Sequence, residues 1–446
     1  MKKLLCLCTA AALTVTSLAG CGTKEKTADN SGEKQTIRIT YSAGELDGQS
    51  NDLNEIFADF YAEHPNCEVV LEENGSALMA KIAANDAPDI IRTSSNSDLP
   101  TYVNKKIIIP LDDLLKKSKL YDKNDIFDIC INDFRYDGKE YGKGPIYGLP
   151  KDWSTSMLWV NKKMFEQAGL PIPTMENPLK YEQLTEYAKK LTVKNGDKVE
   201  VFGISDSESV EAQATRILAL MGKSMWSKDF TKTNLKDPEV RAVFKSIYER
   251  KRDGYNQSSK YSIGGNGNPQ FAMGKAAMNL SGLYAGMVYE KNAERTVAFE
   301  DMILCPPIVT ENNKGVVVTA GATGGAISVN AKDKIDLVFD CWEYIHLGKL
   351  MEKRAAKGFN LPVKKSVADS VKLETEFMSE SYKKAVELAN CEAAPLVVNP
   401  YVAASAVSGV MEKFFTPVIY GQSDFDEAMD VIDNELQLLI DEGRAN

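Results

Sequence analysis

"TIRITYSAGE", residues 36–45, opens the part of the chain that can fold. Its apolar residues alternate with polar ones and several are β-branched, which predicts a strand ending at Gly44. Beyond it, residues 51–64 place Leu53, Ile56, Phe57 and Phe60 at helical spacing and stop at Pro65. "CEVVLEE" (67–73) predicts a second strand, residues 77–84 a short helix, and "PDIIRTS" (88–94) a third strand. Strand and helix alternate, so the expected class is α/β, with a mostly parallel sheet covered on both faces. In such sheets ligands sit beyond the carboxyl ends of the strands.

The same mixture continues outward. "YGLPKDWSTSMLWVNKKMFEQAG" (147–169) predicts a strand and then a helix closed by Gly169, and "PLKYEQLTEYAKKLT" (178–192) an amphipathic helix. Residues 237–252 predict another, with Pro238 in its first turn. "KIDLVFDCWEYIHLG" (334–348) and "FDEAMDVIDNELQLLIDEG" (425–443) add two more. No fixed-period repeat runs through the chain, and low complexity is confined to the residues before Thr36.

Those first residues read as an export signal. Lys2 and Lys3 form a basic n-region, and Leu4 to Leu18 an apolar h-region ending in small residues. The segment falls short of the roughly 20 apolar residues a membrane span needs. Leu18-Ala19-Gly20-Cys21 resembles the lipobox of bacterial lipoproteins, in which the chain is cut before the cysteine and the sulfur receives a diacylglycerol. That resemblance makes residues 1–20 a signal peptide, Cys21 the lipid attachment point, and the polar residues 21–35 a flexible tether. The protein is then expected at the cell membrane, anchored by lipid and facing away from the cytoplasm.

Removing residues 1–20 leaves 51 basic against 63 acidic side chains, a formal charge of −12. That balance argues against nucleic acid as a partner, because phosphate binding needs clustered Lys and Arg. Five further cysteines, at 67, 130, 305, 341 and 391, are scattered and form no C-x-x-C pair, so they indicate neither a zinc site nor a disulfide scaffold. The 411 residues from Thr36 contain no second apolar stretch of spanning length and suffice for two domains.

Four stretches, in order, resemble the extracellular solute-binding proteins of bacterial ABC importers, specifically the sugar-binding, maltose-binding-protein-like family. They are "NDAPDIIRTSSNSDLPTYVNKKIIIPLDDLL" (85–115), "YGLPKDWSTSMLWVNKKMFEQAGLPIP" (147–173), "FAMGKAAMNLSGLYA" (271–285), and "GGAISVNAKDK" (324–334) with "LPVKKS" (361–366). The resemblance implies a two-lobed periplasmic-binding-protein fold whose α/β lobes join at a hinge and close on a ligand in the cleft between them. It places lobe I at 36–150 plus 323–357 and lobe II at 151–322 plus 358–446. The implied partners are a carbohydrate and the permease subunits of an ABC transporter. A monomer is expected, with no cofactor and no metal.

A cleft for sugars needs flat aromatic faces for the C–H side of the ring and planar polar groups for the hydroxyls. Trp153 and Asp152 follow Pro150-Lys151 at the expected hinge, and Trp153 lies between charged and polar neighbours, which favours a cleft over a core position. Glu45 after the first strand and Asn96 in "TSSNS" stand at the same sheet edge, although a helix cap and a turn would explain them equally. Trp226 sits in a loop after a helix. Tyr284 occupies the place where the family's S-G-x-W often carries Trp. Trp159 and Trp342 fall in apolar segments and read as core.

Catalysis finds little support in the residues. His64 and His346 are the only histidines and form no base or metal cluster, no G-x-S-x-G elbow occurs, and "GATGG" (321–325) lacks the rest of a phosphate loop. The chain is therefore not expected to be an enzyme. The alternatives are a surface glycoside hydrolase or lyase, a binding protein for a peptide or polyamine, and one that serves a sensor.

Overall fold

The computed structural model describes residues 34–47, 50–95, 97–206, 208–262, 267–319 and 321–445. The signal segment, Cys21, nearly all of the tether and Asn96 lie outside the described residues. Among the described residues no helix is long and apolar enough to cross a membrane.

Eleven strands carry the argument: β1 (Gln35–Ile39), β2 (Cys67–Leu71), β3 (Ile90–Ser94), β4 (Gly148–Pro150), β5 (Met157–Asn161), β6 (Ser205–Asp206), β7 (Met278–Ser281), β8 (Met302–Cys305), β9 (Val317–Thr319), β10 (Thr323–Ile327) and β11 (Glu392–Ala394). The first sheet has the order β2-β1-β3-β10-β4 and the second the order β6-β7-β5-β8. β9 and β11 form a separate parallel pair.

The first sheet is mostly parallel, as expected, with β2, β1, β3 and β4 running one way and one strand reversed. In the first sheet β1 runs parallel to β2 and β3, but β10 is antiparallel to both of its neighbours. In the second only β6 and β7 are parallel. The cause is connectivity. β10 enters the first sheet from the opposite end after the chain has built the second, so it cannot share the direction set by the local strand-helix-strand units.

Local chemistry explains where the elements stop. The helix Pro238–Arg252 starts where Asp237 accepts from the backbone of Glu239 (2.8 Å) and Val240 (3.3 Å), has proline in its first turn, and ends in Arg250, Lys251 and Arg252. The strand predicted over 36–45 ends at Ile39 instead, and a helix, Ala43–Asp47, follows. Ser42 and Glu45 form a capping box: the Glu45 N–H donates to Ser42 Oγ and the Ser42 N–H to Glu45 Oε2, each at 3.2 Å.

β5 divides the interior. Met157 and Trp159 face the apolar cluster that runs into the first sheet, while Leu158 and Val160 face a second cluster built from the helices Tyr181–Leu191, Val210–Leu220, Pro238–Arg252, Ala404–Ile419 and Phe425–Ala445. The glycines of "GATGG" belong to this packing and to no phosphate cradle. A Cβ on Gly324 would lie 2.1 Å from the Leu149 carbonyl oxygen. The five described cysteines are free, four of them buried and Cys391 half-buried.

Three connections run side by side between the sheets: 150–157, the crossover from Thr319 to Thr323, and 358–363. Lys151 N–H donates to the Thr323 carbonyl (3.2 Å), Thr155 Oγ1 to the Thr319 carbonyl (3.3 Å), and Trp153 exchanges backbone bonds of 2.8 and 3.0 Å with Leu361.

Candidate functional site

Beside these connections lie three cavities that meet at one residue. The largest, about 1100 Å³, opens between residues 136–141 and 219–240 and is bounded by 395–401. A second, about 430 Å³, lies between Ser95, residues 127–142 and residues 389–396. The third, about 200 Å³, is lined by residues 154–156, Glu208, Arg216 and Thr319. Leu396 lines all three, so the segment after β11 is their common wall.

The cleft combines flat apolar faces with paired polar groups. Tyr136, Tyr141, Trp226, Phe230 and Tyr401 line the largest cavity. Tyr401 is 38 % exposed, whereas Trp226 is 4 % exposed and locked by its backbone: its N–H donates to Ser224 Oγ (3.1 Å) and its carbonyl accepts from Asn234 (2.6 Å). Phe230 sits at φ 57°, a left-handed conformation costly to a bulky residue, in a turn where Ser227 Oγ accepts from Thr231 (3.1 Å) and Lys232 (2.9 Å). In the smallest cavity Arg216 pairs with Glu208 and donates to Ser156 Oγ (3.0 Å). Burial pulls the Arg216 guanidinium down to about 10, which still leaves it charged at neutral pH. Such a pair offers both donors and acceptors to ligand hydroxyls.

The residues singled out from sequence divide into two groups. Trp226 lines the largest cavity. Glu45, Asp152 and Tyr284 gather instead around Arg354 and Phe359. Tyr284 stacks on Phe359 with centroids 6.4 Å apart, Arg354 lies 4.6 Å above the same ring, and Arg354 also donates to the Glu45 carbonyl. The Glu45 carboxylate is taken by the capping box and by Arg92 Nε (2.6 Å). Burial would raise this carboxyl, but Arg92 and Ser42 outweigh it and hold it below its ordinary value.

Asp152 and Trp153 correct the expectation of exposure. Asp152 is buried and held by Arg354, by Lys151 (3.0 Å) and by Asn360 (2.9 Å). Burial alone would raise its carboxyl; Lys151 and Arg354 reverse the sign and hold it well below the usual carboxylate range. Trp153 is 2 % exposed and packs in the apolar core, and its backbone pairs with Leu361. Its Nε1–H has no hydrogen-bond partner. Trp159 and Trp342 are buried, as expected from their apolar surroundings.

Sequence reasoning missed Tyr136, Tyr141, Tyr401, Arg216 and Leu396. The one available signal was "APLVVNPY" (394–401), an apolar run between two prolines that is too short for a helix and too interrupted for a strand. Among the described residues no group of three or more His, Cys, Asp or Glu side chains is placed to hold a metal. His346 is enclosed by Tyr41 and Trp342, and burial pushes it down to about 3, so it is neutral.

The model of the bacterial extracellular solute-binding protein family matches residues 45–339. The sn-glycerol-3-phosphate-binding periplasmic protein UgpB of Shigella flexneri is 27 % identical over 154 residues, so the alignment spans about a third (33 %) of each chain. Among solved structures, an ABC substrate-binding protein of Listeria monocytogenes in complex with cycloalternan superimposes with a TM-score of 0.69 at 19 % identity, covering 93 % of this chain and 99 % of that one. The sugar-binding protein MalE of Xanthomonas citri superimposes with a TM-score of 0.69 at 18 % identity, covering 92 % of this chain and 98 % of that one. The two-lobed periplasmic-binding-protein fold is thereby shared along nearly the whole length.

Proposed function

Because the chain belongs to the bacterial extracellular solute-binding proteins, we propose that it captures a carbohydrate, an oligosaccharide in particular, between its lobes and delivers it to the permease of an ABC importer. The observation that carries this reading is the cleft of about 1100 Å³, to which Tyr141, Phe230 and Tyr401 present partly exposed rings while Tyr136 and Trp226 are buried in its wall. Its volume exceeds that of an ordinary small-ligand pocket, and ring faces beside polar groups are what a chain of sugar rings requires. Contacts from both lobes form only in the closed state, so ligand shifts the open–closed equilibrium by its differential affinity.

The lobes are 36–150 with 323–357 and 151–322 with 358–446. The irregular segment 358–364 acts as a hinge element, supported by bonds from Phe127 N–H to the Val363 carbonyl (3.1 Å) and, at the start of the helix that follows, from Lys365 N–H to the Asp125 carbonyl (2.6 Å). Binding without turnover, as a monomer, is the mode of action. The lipid on Cys21 holds the protein on the membrane outside the cytoplasm, a reading supported by the sequence from Lys2 to Cys21.

Thermal-shift titration with di- to hexasaccharides, and separately with sn-glycerol 3-phosphate, tests this. Saturable stabilisation by a saccharide that is recovered intact is expected. In Tyr401→Ala, loss of an aromatic face worth about 1–2 kcal/mol should weaken that affinity roughly 5- to 30-fold without moving the unliganded melting temperature. Stabilisation by the phosphate alone, or consumption of the saccharide, overturns the reading. Labelled palmitate should enter the full chain and not Cys21→Ala.

A further inference from the structure

The irregular segment 395–398, which follows β11, gives wall to all three cavities. Pro395 lines the largest and the 430 Å³ cavity, Val398 the largest and the 200 Å³ cavity, and Leu396 every one of them. Tyr141 also lines both larger cavities, and its hydroxyl donates to the Ser95 carbonyl, which ties it to the end of β3. At the boundary between these two cavities, then, Tyr141 is held by the first sheet and Pro395 by its own ring. Leu396 is held by neither. It is half-buried and belongs to neither apolar cluster, although Ala394 and Val397 beside it pack against the second. Its isobutyl group therefore spends its apolar surface on the cavities and not on the core.

We propose that Leu396 sets the length of the bound saccharide: a ligand in the largest cavity stops against it, and a smaller side chain there opens the way into the 430 Å³ cavity beyond. This rests on the carbohydrate reading and adds to it the residue that limits the ligand.

The chemistry of the segment suits the end of a sugar chain. An isobutyl group that no core residue covers gains from being covered by the C–H face of a ring. Among the described residues the main-chain N–H and C=O groups of Leu396, Val397 and Val398 have no hydrogen-bond partner, so they are open to ligand hydroxyls. The volumes decide which way a longer ligand runs. Small-ligand pockets begin at about 300 Å³. The 200 Å³ cavity falls below that size, whereas the 430 Å³ cavity exceeds it and adds Asn132 and Asn390, whose amides both donate and accept.

Calorimetric and thermal-shift titrations of the full chain with gluco- and manno-oligosaccharides, from di- to octasaccharide, test the proposal. Wild-type affinity should rise with added rings up to a limiting length and then stop rising. In Leu396→Ala the limit should move up by at least one ring, with a gain of roughly tenfold for the first saccharide beyond the wild-type limit. Leu396→Trp should move it down, and Leu396→Met, which keeps the volume, should leave it in place. Since Leu396 lies outside both apolar clusters, the unliganded melting temperature of Leu396→Ala should stay with wild type. Should that variant misfold, Leu396→Trp against Leu396→Met decides alone. The same limiting length in wild type, Leu396→Ala and Leu396→Trp overturns the proposal and leaves the carbohydrate reading intact. A panel in which no saccharide binds wild type overturns the carbohydrate reading and takes this proposal with it.

Discussion

Replacing Asp152 by Asn separates a structural from a ligand-binding role for the residue that sequence most strongly placed in the cleft. In the folded chain its carboxylate neutralises Lys151 and Arg354, and all three side chains are buried, with Arg354 only 2 % exposed. Removing the anion leaves two adjacent cations without a counter-charge, and breaking a buried pair in this way costs about 3–5 kcal/mol. Spread over the 411 residues from Thr36, at about 2.1 cal/mol/K per residue, that corresponds to a fall of roughly 4–6 °C in melting temperature. Lys151→Met should behave oppositely. It removes the surplus cation and leaves the Arg354–Asp152 pair intact, so stability should change by no more than about 1 kcal/mol. Scanning calorimetry of the two variants decides the matter. An Asp152→Asn protein that melts with wild type but no longer responds to saccharide would refute the structural assignment and return Asp152 to the binding site.

Two further outcomes follow from the packing. His346, enclosed and pushed down to about 3 by burial, stays neutral in the fold while an unfolded histidine protonates near 6.5. The folded state thus binds fewer protons, and its stability falls as the pH drops from 6.5 towards 3; between pH 7 and 5 wild type should lose about 2 kcal/mol more than His346→Gln in urea titrations, and parallel losses would contradict the assignment. Gly324→Ala puts a methyl 2.1 Å from the Leu149 carbonyl and 2.6 Å from Phe134 Cζ, so β10 must part from β4. A cost of about 3 kcal/mol or more is expected in the same assay, and an unchanged urea midpoint would mean that the two strands stand further apart in solution.

The parts of the fold legible in sequence are those set by neighbours along the chain. Asp237 and Pro238 announce a helix start, Pro65 a helix end, and the 3.6 spacing from Ile335 to His346 a buried face, and each element forms within a few residues of its expected place. Even the misplaced end of the first strand left a local trace, since Ser42-x-x-Glu45 is a capping box that the β-branched run before it obscured. Strand direction was not legible, because β10 joins β3 across more than two hundred residues and no local pattern encodes which way a returning strand runs.

The site was less legible for a related physical reason. A polar residue at a strand end beside a hinge is required equally by a ligand and by the hinge itself, since any charge taken out of water must find a partner. Asp152 finds Arg354 and Asn360, both some two hundred residues away, and Glu45 finds Arg92. Asp152 and Glu45 are thus consumed in registering the connections, while the cleft keeps aromatic faces, the charged side chains of residues 139–140 and 223–237, and the Arg216–Glu208 pair. A receptor that must open and close gains from that division. In the proposed closure, buried pairs such as Asp152–Arg354 are costly to break, so the contacts expected to change are those to the ligand.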